Sequence, residues 1–70
     1  MTISLTITLN GEPFTVPGPL TITNLLVRLE IDPRRVAVER NLAIVRRAAY
    51  DATEVVEGDQ IEIVNFVGGG

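Results

Sequence analysis

Cysteine, histidine and lysine are all missing from this sequence. Without them the chain has no thiol nucleophile, no imidazole base and no amine for Schiff-base chemistry. It also lacks the side chains that most often bind zinc. The absence of cysteine excludes disulfide bonds, so the chain suits a reducing compartment as well as any other. We therefore expect no catalytic residue and no metal site built from these residue types.

The residues that could still support catalysis are spread thinly along the chain. Ser4 is the one serine, and no histidine is present to activate it. The nine carboxylates occur singly, and their spacing does not indicate an apolar cleft around any pair. They are Glu12, Glu30, Asp32, Glu39, Asp51, Glu54, Glu57, Asp59 and Glu62. This distribution predicts that the protein is not an enzyme.

Long hydrophobic runs and basic stretches are scarce as well. The longest apolar run, residues 42–45, is far too short to cross a membrane. The first residues lack the positive charge and the continuous apolar run of a secretory signal. A net charge of −3 argues against a nucleic-acid partner. We expect a single domain, since the chain has 70 residues, and a cytoplasmic location.

The first part of the chain predicts a β-hairpin. Apolar residues at positions 3, 5, 7 and 9 alternate with hydroxyl side chains, which is typical of a half-buried strand. Asn10-Gly11 predicts a tight turn because both positions tolerate a positive φ. A second strand is expected over roughly residues 12–16, ending at Pro17-Gly18-Pro19, because proline cannot donate to a strand ladder.

A helix is expected next, since the apolar spacing changes from two residues to between three and four. Thr21 is placed to cap its first turn, and Asp32-Pro33 is expected to end it. The apolar stripe consists of Ile22, Leu25, Leu26 and Leu29.

Three further strands complete the predicted architecture. One begins at Val36, one covers Ala43 to Val45, and the last covers Gln60 to Phe66. A right-handed crossover through the helix would place the first and last strands parallel at the centre of the sheet. The predicted fold class is α+β, a β-grasp or ubiquitin-like plan in which a mixed sheet of four to five strands packs on one short helix.

The sequence closes with Gly68, Gly69 and Gly70. Glycine loses more conformational entropy on ordering than any other residue, so three in succession do not stabilise a fold. We therefore expect a β-grasp domain over residues 1–66 and a flexible tail over residues 67–70. A tail of four residues reaches at most about 13 Å, and its slenderness suits entry into the active site of another protein.

Over nearly its whole length the chain resembles the ThiS family, the sulfur carriers of thiazole (thiamin) biosynthesis. The stretches that carry the resemblance are "LNGEPF", "LTITNLL", "IDPRRVAVERN", "EGDQIEIV" and the closing "FVGGG". Two departures stand out. Asn41-Leu42 replaces the family's usual Asn-Gly turn, which leaves the turn type open, and Asn24 occupies a helix position that is often acidic.

The resemblance implies a specific chemistry at Gly70. A ThiF-like adenylyltransferase, related to ubiquitin-activating enzymes, would adenylate this residue with ATP and magnesium, so the chain itself binds no cofactor. Sulfur from a cysteine desulfurase would then give a thiocarboxylate, which a ThiG-like thiazole synthase would consume. Val67, Gly68 and Gly69 would enter the partners' active sites. Alternatives are a carrier for molybdopterin synthesis or for transfer-RNA thiolation, and a ubiquitin-like tag or binding module without sulfur chemistry.

Two surface features leave alternatives open. Val64 and Phe66 share one face of the last strand, and they form either a partner-docking surface beside the tail or part of the core. The pairs Arg34-Arg35 and Arg46-Arg47 either steer an acidic partner or are simply solvated.

Overall fold

The computed structural model describes residues 3–66, so the predicted tail over residues 67–70 lies outside the described part. The strands are β1 (Ile3–Leu9), β2 (Glu12–Gly18), β3 (Val36–Arg40), β4 (Ala43–Val45) and β5 (Gln60–Asn65), and the helix is α1 (Ile22–Arg28). Two short 3₁₀ helices, Pro33–Arg35 and Arg47–Ala49, lie in the connections. Over residues 3–66 no helix is long and apolar enough to span a membrane.

The five strands form one mixed sheet in the order β2-β1-β5-β3-β4. β1 and β5 are parallel neighbours at its centre, with Thr8 opposite Gln60 and Leu9 opposite Ile61. The other pairs are antiparallel. This arrangement confirms the predicted central parallel pair.

The first hairpin forms as predicted, but its second strand is longer than expected. Asn10 and Gly11 have φ values of 49° and 85°, as a two-residue turn requires. β2 continues through Pro17 to Gly18, which lies opposite Ile3. The expected end near residue 16 was wrong because β2 is an edge strand. An edge position tolerates a proline whose missing N–H would face solvent.

Helix α1 is capped at both ends by its own local sequence. The Thr21 hydroxyl accepts the Asn24 N–H (3.2 Å), and the Asn24 amide oxygen accepts the Thr21 N–H (3.3 Å). Asn24 thus completes a capping box. At the other end Glu30 has a φ of 60°, and the Ile31 N–H donates to the Leu26 carbonyl.

These last contacts form a Schellman-type cap, which ends the helix. The helix ends before Asp32-Pro33 as expected, but its last residue is Arg28, so Leu29 of the predicted apolar stripe is the C-cap residue.

The core contains two residues that periodicity did not identify, Tyr50 and Val55. Both lie in the irregular segment between β4 and β5, for which no element was predicted. The Val55 N–H donates to the Leu20 carbonyl, which holds this segment against the start of the helix. The remaining buried core residues are apolar side chains of the strands and of the helical region: Leu5, Ile7, Val16, Leu20, Ile22, Leu25, Leu26, Val36, Val38 and Ile61.

Candidate functional site

The candidate site is the end of β5 together with Phe66, the last described residue, which directly precedes the predicted tail. The N–H of Phe66 donates to the carbonyl of Arg35 (2.9 Å), so the backbone is still held at this residue. The Phe66 side chain is 58% exposed and that of Val64 is 57% exposed. Exposure of this size favours the surface alternative over the core alternative for both residues.

Further apolar groups lie on the same outer face of the sheet. Ala37 of β3 lies opposite Val64, and Ile44 of β4 lies opposite Glu39. Side chains alternate between the two faces of a strand, so Ala37 and Glu39 share their face with Val64 and Ile44. Ile44 is 65% exposed. We call Ala37, Ile44, Val64 and Phe66 the outer patch. The sequence identified only Val64 and Phe66, and the last strand ends at Asn65, one residue short of the predicted end at Phe66.

Alternation along β4 identifies Ile44 only once the pairing of β4 with β3 is known. Its neighbours Ala43 and Val45 pair with Arg40 and Val38, and Val38 is fully buried. A strand whose inner positions face a core must present the intervening residue outward. The sequence alone did not predict which face of the sheet each β4 residue occupies, because three residues are too few to show a period.

The start of β5 is anchored by Asp59, a buried carboxylate that sequence reasoning left among the scattered acids. Its side chain accepts from Arg40 Nε (2.8 Å), from Asn41 Nδ2 (3.1 Å) and from the Val56 N–H (2.9 Å). Burial by itself raises the pKa of Asp59, but these hydrogen bonds and the charge of Arg40 hold the pKa below its usual range. The carboxylate is therefore ionised at neutral pH and ties β5 to the β3–β4 turn.

The turn residue Asn10 supports the far half of β5. Its side-chain oxygen accepts the Ile63 N–H (2.8 Å), and its side-chain nitrogen donates to the Ile63 carbonyl (3.3 Å). Because β1 ends at Leu9, this amide takes the place of a strand partner for Ile63 on the β1 side of β5, while Val38 of β3 lies opposite Ile63 on the other side. Asn10 thus has a role beyond the turn that the sequence indicated.

The residues for which the resemblance implies a chemical role follow the described part of the chain. Gly70, and with it Val67, Gly68 and Gly69, is outside the described residues. Within residues 3–66 no group of three or more potential metal ligands comes together. What the described part provides is a firmly held strand that carries exposed apolar side chains toward the glycine end.

The mixed sheet in the order β2-β1-β5-β3-β4, with one helix, is that of a ubiquitin-like β-grasp domain. The family model of the ThiS family matches residues 7–70. The chain therefore belongs to the ThiS family, the sulfur carriers of thiamin biosynthesis.

Known proteins support this assignment. The crystal structure of the thiamine biosynthesis protein ThiS from Geobacter metallireducens superimposes with a TM-score of 0.82 and 42% identity, covering 94% of this chain and 100% of that chain. The sulfur carrier protein ThiS of Bacillus subtilis is 44% identical over 50 residues, which are 71% of this chain and 76% of that protein.

A second kind of relative is much longer than this chain. A thiazole synthase from Magnetococcus marinus is 50% identical over 62 residues, which are 89% of this chain but 19% of that protein. A thiazole synthase from Paramagnetospirillum magneticum is 47% identical over the same length and with the same coverage. The chain thus spans about a fifth of the length of these relatives.

Proposed function

We propose that this protein carries sulfur as a thiocarboxylate on Gly70 and donates it to the thiazole ring of thiamin. The observation that supports the proposal best is the family match, because it extends through residue 70 and so includes the glycine end. The proposal requires the carboxylate of Gly70 to be free. The protein then acts as a co-substrate of partner enzymes and is not itself a catalyst.

The chemistry follows from the poor reactivity of a carboxylate. A Gly70 oxygen attacks the α-phosphorus of ATP in a magnesium-dependent adenylyltransferase, and pyrophosphate leaves. A cysteine-desulfurase persulfide then attacks the acyl carbon and AMP leaves, giving an acyl disulfide. A thiol reduces its S–S bond and releases the thiocarboxylate. Each partner supplies the catalytic groups, so this chain has only to present its end.

Several features of this chain suit it to present the Gly70 carboxylate to a partner enzyme. Glycine adopts the φ and ψ values that a narrow active site imposes, at residues 68–70. Val64 and Phe66, both more than half exposed, provide an apolar docking surface at the base of the tail. The fixed strand would place that surface and the tail in one orientation toward the adenylyltransferase.

The thiazole synthase relatives support the proposed recipient of the sulfur. Each contains a region about half identical to this chain, so a carrier-like sequence occurs in the same polypeptide as a thiazole synthase. We extend this to a separate ThiG-like partner for the present chain. Cysteine desulfurase as the sulfur source and a cytoplasmic location complete the proposal.

Intact mass spectrometry tests the proposal. The protein is incubated with ATP, magnesium, a cysteine desulfurase, cysteine and the adenylyltransferase of the same organism. We expect a gain of about 16 Da, oxygen replaced by sulfur, on the C-terminal peptide. A variant lacking Gly69 and Gly70 is the control and should show no gain. A gain that persists in this variant, or that maps to another peptide, would refute the role of Gly70.

A further inference from the structure

The arginines are unevenly distributed in this acidic protein. Five of the six lie between positions 34 and 47, where Glu39 is the one acidic residue, although the whole chain has a net charge of −3. The remaining arginine, Arg28, lies in the last turn of the helix. Segregated charge of this kind produces a local field opposite in sign to that of the whole molecule.

The fold brings the two arginine pairs together. Arg34 and Arg35 lie in the first 3₁₀ helix, and Arg46 and Arg47 lie at the start of the second. Arg47 Nη2 donates to the carbonyl of Arg34 (3.3 Å), which joins the two short helices directly. We call Arg34, Arg35, Arg46 and Arg47 the basic cluster.

The basic cluster lies at the base of the predicted tail. The carbonyl of Arg35 accepts the N–H of Phe66 (2.9 Å), the last described residue. Any protein that receives the tail must therefore approach the cluster closely. The apolar side chain of Phe66 is mostly exposed.

The charge of the cluster is only partly neutralised. Asp32 pairs with Arg34 (3.0 Å) and, more loosely, with Arg35 (3.8 Å). The hydrogen bond from the Arg34 side chain lowers the pKa of Asp32 to about 2, so this one compensating charge persists at neutral pH. Within residues 3–66 no carboxylate lies within ion-pair distance of Arg46 or Arg47. The cluster thus retains a net positive charge, and its side chains are exposed.

We propose that the basic cluster docks an acidic surface on the adenylyltransferase that receives the tail. This inference rests on the proposed function for the identity of the partner. Arginine beside exposed aromatic and aliphatic groups is typical of protein–protein interfaces. A nucleic acid fits less well, because it requires a longer basic stripe than four residues in a protein whose remaining surface is acidic.

Association kinetics between the full-length chain and the adenylyltransferase test the inference. The test variant is Arg46→Gln, whose side chain caps no helix end. The matched control is Arg28→Gln, which removes the same charge from a separate groove lined by Pro17 and Pro19. At low salt we expect association to slow about threefold in Arg46→Gln and about tenfold in Arg35→Gln/Arg46→Gln, with the control close to the parent.

Salt supplies the second readout. Because screening weakens exposed charge interactions, the rates of all variants should converge at about 1 M salt. Equal slowing by Arg28→Gln would show that net charge alone matters and would overturn the inference. So would unchanged rates in the double variant, or binding of a single-stranded oligonucleotide that the double variant abolishes. Melting temperatures of the variants establish that each is folded.

The docking inference and the proposed function can fail independently of each other. If the variants associate normally while Gly70 still gains sulfur, the docking inference fails and the function stands. If association depends on the cluster but no mass gain is seen with any variant, the proposed chemistry fails and the docking surface stands.

Discussion

The two ends of β5 differ sharply in how they are held. At its start, the Asp59 carboxylate is buried and accepts three hydrogen bonds, and Ile61 is fully buried. At its end, Val64 and Phe66 are more than half exposed, and one backbone hydrogen bond holds Phe66. The strand is thus anchored at one end and exposed at the other. Substitutions at the two ends should therefore have effects of different kinds.

The largest effect is expected at the anchored end. Asp59→Ala would leave the Arg40 guanidinium half-buried without its partner, together with the amide of Asn41. Removing one member of a buried ion pair costs about 3–5 kcal/mol, which is a large share of the stability of a small domain. Urea denaturation measures the loss. The control Glu62→Ala, on the exposed side of the same strand, should change stability by at most about 0.5 kcal/mol.

The stability that Asp59 contributes should depend on pH. The pKa of Asp59 is lower in the folded protein than in the unfolded chain, so its stabilisation is present above the unfolded pKa and is lost as pH falls through the folded value. The stability difference between the parent and Asp59→Asn should therefore shrink below about pH 4. Denaturant titrations at several pH values measure this difference. A difference that stays constant down to pH 2 would contradict the assignment.

At the exposed end, an intermediate effect on binding is expected. Phe66→Ala should weaken association with the adenylyltransferase by about 1–3 kcal/mol, as truncation of an interface anchor does. Its melting temperature should stay close to that of the parent because the side chain is mostly exposed. Val27→Ala, which truncates an exposed apolar residue on the helix, is the matched control. A large fall in the melting temperature of Phe66→Ala would mean that this side chain stabilises the fold.

The smallest effect concerns the turn next to the anchor. Leu42 is 83% exposed and has a φ of 71°, in the left-handed region that costs a non-glycine residue about 1 kcal/mol. Leu42→Gly should stabilise the domain by about 0.5 kcal/mol, since relief of strain is partly offset by the entropy of glycine in the unfolded chain. Gly11→Ala in the first hairpin should have the opposite effect on stability, because it places a non-glycine residue at a positive φ. Its new Cβ would meet open space, but its φ of 85° makes it destabilising.

Local signals were enough to predict most of the strands and the helix. Asn10-Gly11, the alternation in β1 and the apolar stripe of α1 each depend on residues within one turn or one strand. What they did not predict depends on contacts between distant positions. Arg40 and Asp59 are 19 residues apart, and Asn10 and Ile63 are 53 apart. No local pattern indicates which of nine carboxylates will be buried, and the segment that contains Tyr50 and Val55 has no regular period.

The residues of the candidate site likewise divide into those that local patterns predict and those that depend on contacts between distant positions. Val64 and Phe66 were identified because they share one face of a strand, whereas Ile44 joins them only through the β3–β4 register. The meeting of the two arginine pairs depends on two 3₁₀ helices that the sequence did not predict. The role of Gly70 follows from the resemblance and from the family match, and it stays a proposal.

Transfer of labelled sulfur tests whether this protein donates sulfur to the thiazole ring. The carrier is charged with heavy sulfur, freed of the charging enzymes, and mixed with the thiazole synthase of the same organism and its other substrates. We expect the label to enter the thiazole ring and the carrier to return to its original mass. Label that stays on the carrier, or that appears instead in molybdopterin or thiolated transfer RNA when those systems are supplied, would contradict it.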